Sequence, residues 1–112
     1  MSLSMYQTKE IEIEGEIYNL KKFKALTGLA VQKEIHEAGL FTEDGINVMA
    51  LTPEQIFKII SNGCSKGSMA FDTKSFDNHF AGKYMQIYQL VAEILMYNFA
   101  DNSPNGEAAT EE

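Results

Sequence analysis

With 112 residues, 45% of them hydrophobic, the chain suits a single globular domain that buries roughly two-thirds of its unfolded surface. Its formal charge is −7, and its nine cations are all lysine; an acidic, arginine-free domain fits nucleic acid poorly, because recognition of phosphate and guanine relies on guanidinium groups. A single cysteine excludes an intrachain disulfide, no apolar run approaches the ~20 residues of a membrane span, and the expected location is the cytoplasm.

The start, Met1-Ser2-Leu3-Ser4, lacks the basic and apolar regions of a signal peptide, and residues 1–8 are expected to be a disordered or tag-derived lead-in to one domain over residues 9–100. Lys9 to Glu14 alternates strictly between apolar and charged, and Ile17-Tyr18-Asn19-Leu20 returns after Gly15-Glu16. A two-residue loop with glycine first suits a type II′ turn, pairing Ile13 with Tyr18 and Ile11 with Leu20. Ile11, Ile13, Tyr18 and Leu20 then share an inward face, and Glu10, Glu12 and Glu14 face water. Lys21-Lys22-Phe23-Lys24 reads as a solvated strand end entering a helix.

The first helix is expected from Phe23 to Ala38, or from Thr27 as an N-cap, with Phe23, Leu26, Ala30, Val31, Ile35 and Ala38 inward and Gly39 as its stop. A turn-rich loop around Thr42-Glu43-Asp44-Gly45 comes next. Thr52-Pro53-Glu54-Gln55 is a capping box with proline in the first helical position, and Leu51 and Ile56 can staple it. This second helix ends at Gly63 or Gly67. Asp72 caps a short third helix from Thr73 that turns Phe76 and Phe80 inward. Gly82 separates it from a final helix over residues 83–99, and an acidic, disordered tail occupies residues 101–112, with four acids and no base. The fold class is therefore mainly α: an N-terminal β-hairpin packed on a small bundle of three to four helices.

The final helix is apolar on most sides. Tyr84, Ile87, Tyr88, Val91, Ile94, Leu95 and Phe99 form its main stripe, Leu90 and Tyr97 lie off one side of it, and Met85, Ala92 and Met96 lie off the other. Lys83, Gln86, Gln89 and Glu93 leave only a narrow polar seam. Such a helix is either the centre of its own domain or a surface for another protein. Together with the loop residues Met49, Met69 and Phe71, the candidate protein-interaction residues are Met85, Leu90, Met96 and Tyr97, because flexible methionine surfaces suit adaptable contacts.

No catalytic, metal or cofactor set emerges. His36 belongs to a polar helix face, His79 is a partly packed histidine between Phe76 and Phe80, and Cys64 comes after Ile60 on an apolar face, where a thiol is inert. Two histidines and one cysteine do not assemble a zinc set, and no phosphate-binding loop or calcium loop is present. Non-enzymatic function without a cofactor is the expectation.

The order of parts resembles a family. The strand pair Ile11-Glu12-Ile13-Glu14-Gly15-Glu16-Ile17-Tyr18-Asn19-Leu20, the helix with Phe23-Lys24-Ala25-Leu26, the start Leu51-Thr52-Pro53-Glu54-Gln55 and the apolar last helix before an acidic tail are similar to tail assembly chaperones of long-tailed (siphovirus-type) bacteriophages and prophages of Gram-positive bacteria. The resemblance implies a helical, non-enzymatic, self-associating protein of the bacterial host cytoplasm. It would help tape-measure and tail-tube proteins assemble and be absent from the finished virion. It also implies a longer frameshifted product in many members, although residues 101–112 hold no paired lysines or glycines. The alternative is a structural or adaptor interaction domain of a phage tail or another assembly, which a tape-measure gene immediately downstream would disfavour.

Overall fold

In a computed structural model of the chain, residues 8–43 and 45–99 are described. The expected lead-in over residues 1–8 lies outside these, apart from Thr8, and so does the acidic tail. The hairpin forms from β1 (Thr8–Ile13) and β2 (Glu16–Lys21). Its turn is Glu14-Gly15, one residue earlier than expected, with φ of 50° and 85°. Positive φ at both central residues marks a type I′ turn, whose twist matches that of the strands. Gly15 takes the more open of the two angles without a Cβ clash, and this sets the register. Ile11 therefore pairs with Tyr18 and Ile13 with Glu16, correcting the expected pairing of Ile11 with Leu20. The inward face survives the shift. Ile13, Tyr18 and Leu20 are buried, Ile11 is half-buried, and Glu10, Glu12 and Glu14 are exposed.

Helix α1 (Ala25–Glu37) closes with Gly39 at φ 68°, and the Gly39 and Leu40 amides donate to the carbonyls of His36 (3.2 Å) and Ile35 (3.1 Å). This is a Schellman stop. Val31 and Ile35 are its buried residues. Leu26 is not inward as expected: it lies about 140° around the helix from Val31, and it is 83% exposed. Two short strands, β3 (Phe41–Thr42) and β4 (Gly45–Ile46), and a 3-10 turn (Val48–Ala50) occupy the stretch expected to be loop.

Helix α2 (Pro53–Gly63) begins with the capping box. Thr52 Oγ1 accepts the Gln55 N–H at 3.1 Å, and Gln55 Oε1 accepts the Thr52 N–H at 2.9 Å. The helix ends at Gly63 and runs directly into β5 (Cys64–Lys66), which turns at Gly67-Ser68 into β6 (Met69–Ala70). β5 pairs with β2 through Leu20–Cys64 and Asn19–Ser65. The hairpin is thus half of a four-stranded antiparallel sheet in the order β1-β2-β5-β6. Helix α3 (Thr73–Phe80) is capped by Asp72, whose Oδ1 accepts the Ser75 N–H at 2.9 Å, and α4 (Tyr84–Phe99) completes a fold of four helices with this small sheet.

Helix α4 is the hub. It packs on α2, α3, the 3-10 turn, and the β1 and β2 strands. Ile87, Leu90, Val91, Ile94 and Leu95 enter the core. Two polar residues are buried with them and pin the helix to the hairpin. Gln86 Oε1 accepts the Tyr18 hydroxyl at 2.9 Å, while its Nε2 donates to Glu14 at 3.3 Å. Near the other end, Asn98 accepts the Phe23 N–H at 2.7 Å and donates to the Lys21 and Ile94 carbonyls, each at 3.1 Å. These bonds satisfy backbone groups where β2 leaves the sheet for α1, so the polar groups are paired rather than stranded.

Candidate functional site

Cys64, His79 and Tyr18 are drawn into the packing between the sheet and α3. Cys64 is buried against β2, and burial pushes its thiol up to about 12, leaving it protonated near neutral pH. His79 is half-buried. Its Nε2 lies 2.9 Å from the Tyr18 hydroxyl, and its ring meets those of Tyr18, Phe71 and Phe80. Because the hydroxyl hydrogen goes to Gln86, Nε2 is the donor in that bond, which fixes the tautomer. Burial lowers the His79 pKa, with Lys83 acting in the same direction and Glu16 opposing. Burial likewise raises the Tyr18 phenol. Glu16, on the sheet's inner face, is held below its ordinary value chiefly by its 3.0 Å hydrogen bond with Lys66. His36 stands exposed on α1, far in the chain from this cluster. Among the described residues, no group of histidine, cysteine, aspartate and glutamate is arranged to hold a metal, and no helix is long and apolar enough to cross a membrane.

What remains is apolar surface, and the structure divides the candidate residues. Leu90 is fully buried and Phe71 is buried, so neither belongs to an accessible surface. The reason is the sheet: β2 covers the side of α4 that bears Leu90, where Gln86, Leu90, Ile94 and Asn98 recur every four residues. Tyr97 is half-buried, with the Lys22 ammonium 4.0 Å from its ring centroid and donating to its carbonyl. Tyr84, expected inward, is exposed, and Gln86, expected in the polar seam, is buried.

The opposite flank stays open. Met85 is 70% and Met96 is 52% exposed. They share one line along α4 with exposed Gln89 and Glu93. Met49 is exposed on the 3-10 turn, which itself packs on α4, while Met69 is exposed on the edge strand β6. A second exposed pair escapes the sequence reading: Leu26 and Leu29, the latter 63% exposed, on the first turns of α1. Their angular offset from Val31 was the available signal. Beside them, Lys22, Lys24, Gly28, Leu29 and Phe99 line a groove of about 440 Å³ between the start of α1 and the end of α4.

The fold is thus centred on one apolar helix with exposed methionines along its free flank. Residues 52–102 match the family model for phage tail assembly chaperone protein, TAC. The match takes in α2, β5, β6, α3 and α4, just under half of the chain, and supports the tail-chaperone resemblance seen in its sequence. It includes Met69, Met85 and Met96 but neither Met49 nor the groove residues on α1. No curated protein and no solved structure matches the chain.

Proposed function

We propose that this chain is a non-enzymatic tail assembly chaperone of a siphovirus-type phage or prophage of Gram-positive bacteria, acting in the host cytoplasm on tape-measure and tail-tube proteins. The observation that carries the reading is the family match over residues 52–102, the stretch that builds α4 and its exposed methionines. The family's description implies contact with other phage tail proteins. An assembly-prone, apolar client needs an adaptable surface on a charged, soluble partner, and exposed Met85 and Met96 along one line of α4 provide one here. Burying one such side chain contributes roughly 1.5–3 kcal/mol, so the pair can anchor a transient complex. Self-association through the same flank belongs to this proposal.

Co-expression with the tape-measure protein tests it. The wild-type chain keeps that client soluble and co-purifies with it. Met85→Ser combined with Met96→Ser leaves the fold intact by circular dichroism, since both side chains point to water, and abolishes co-purification. If the wild-type chain neither binds nor solubilises the client, the chaperone role fails and the structural or adaptor reading replaces it.

A further inference from the structure

Helix α1 is held firmly at both ends and weakly in between. Before it, Asn98 takes the Phe23 N–H and donates to the Lys21 carbonyl. After it, Leu40 is fully buried, and its carbonyl accepts the Asn47 N–H at 2.7 Å. Between these anchors, two of its thirteen residues, Val31 and Ile35, are buried. Among the described residues, none of the closely packed pairs of elements that build the core includes α1. Glu34 pairs with Lys58 of α2 at 3.1 Å, but both side chains are partly exposed and such a pair adds little. Leu26 and Leu29 face away from the core and contribute nothing to docking the helix.

Local terms do not compensate. Lys24 gives α1 no side-chain cap, the first turn holds no acid, and Glu37 stands at the negative end of the helix dipole. Gly28 occupies the helix interior, where it weakens a helix about fivefold against alanine. Recesses of about 440 and 170 Å³, both lined by Phe99, separate α1 from the end of α4.

We propose that α1 opens as one unit between its two anchors while the sheet, α2, α3 and α4 stay folded, and that opening bares an apolar surface formed by Val31, Ile35 and the Phe99 end of α4. Unwinding α1 frees the backbone of thirteen residues at the loss of two buried side chains. Helix α4, by contrast, cannot leave without exposing seven buried residues and breaking the Gln86 and Asn98 bonds. The surface that opening bares is distinct from the Met85–Met96 flank, and the inference holds whether or not the chain acts on tail proteins.

Native-state amide exchange of the full-length chain, followed residue by residue by NMR at neutral pH and low urea, tests it. After correction for intrinsic rates, the amides from Leu29 to Ile35 are expected to exchange about 100-fold faster than those from Val91 to Leu95, with a shallower dependence on urea. Three variants separate local opening from global unfolding. Thr52→Ala weakens the cap of α2, which stays folded when α1 opens, so it should speed exchange in α4 about fivefold and leave α1 unchanged. Gly28→Ala should slow exchange in α1 about fivefold, since its added Cβ lies 3.5 Å from the Phe23 Cβ, an ordinary contact. Lys24→Asp, which supplies a cap acceptor where the backbone is already extended, should act in the same direction. Equal protection and equal urea dependence in α1 and α4 would overturn the proposal. So would acceleration of α1 by Thr52→Ala, or α1 rates that neither Gly28→Ala nor Lys24→Asp changes.

Discussion

Asn98 reaches across 75 residues of chain to take the Phe23 backbone N–H on its Oδ1 at 2.7 Å. Its amide nitrogen meanwhile donates to the Lys21 carbonyl. One side chain near the end of the last helix thereby holds both backbone groups at the point where the sheet gives way to α1. Asn98→Ala strands a part-buried donor and weakens an acceptor, and is expected to cost about 1–3 kcal/mol in urea melts. A loss below about 0.5 kcal/mol would mean that water replaces the amide without penalty.

One distinction separates the features legible in the sequence from those hidden in it. Local chemistry was legible. The Thr52 and Asp72 caps, the Gly39 stop and the inward face of Ile13, Tyr18 and Leu20 depend on residues within a few positions of one another. Long-range pairing was not. Gln86 reads as part of a polar seam because its partner, Tyr18, is 68 residues away, and Asn98 carries no local signal because Phe23 is 75 residues away. β5 and β6 are too short and too polar to alternate, although Gly67-Ser68 is a two-residue hairpin signal. Leu90 reads as an outer-surface residue because periodicity fixes only relative angles around a helix, not which side the sheet covers.

Gly63 of α2 packs against α4 so tightly that an added Cβ would collide with the Ile94 side chain and sit 3.0 Å from the Phe23 ring. Ile94 is β-branched and fully buried, so it yields poorly. Gly63→Ala is expected to destabilise by about 1–3 kcal/mol despite its better helix propensity. In a double-mutant cycle with Ile94→Ala, the two losses should be less than additive, because removing the Ile94 branches makes room for the new methyl. Additive losses would place the strain elsewhere.

The start of α2 lies inside the stretch matched by the family and rests on a reciprocal pair of hydrogen bonds between Thr52 and Gln55. Thr52→Ala leaves the Gln55 N–H without its side-chain acceptor, and should cost about 1 kcal/mol by thermal or urea unfolding. Lys74→Ala, on the exposed face of α3, should remain within about 0.5 kcal/mol. Equal effects of the two substitutions would show that the cap contributes nothing in this context.

His79 makes stability depend on pH above the range in which carboxylates titrate. Its pKa in the fold lies below the ordinary 6.5, chiefly because burial disfavours the imidazolium, with Lys83 and Lys66 adding to the effect and Glu16 opposing it. The unfolded chain therefore binds the proton more readily. The contribution is fully present above the unfolded value of 6.5 and is lost as pH falls through the lower folded value. Glu16 and Asp72 also have lowered pKa values, from 4.5 and 3.8, so their stabilising contributions are lost in more acid solution, and the two windows separate. Urea midpoints of the wild type should drop between about pH 7.5 and about pH 5.5. His79→Gln keeps a nitrogen donor for the Tyr18 hydroxyl but cannot be protonated in that range, so its midpoint should stay nearly level across the same interval. A wild-type midpoint that rises as the pH is lowered would mean that Glu16 outweighs burial and that the imidazolium is the favoured form in the fold.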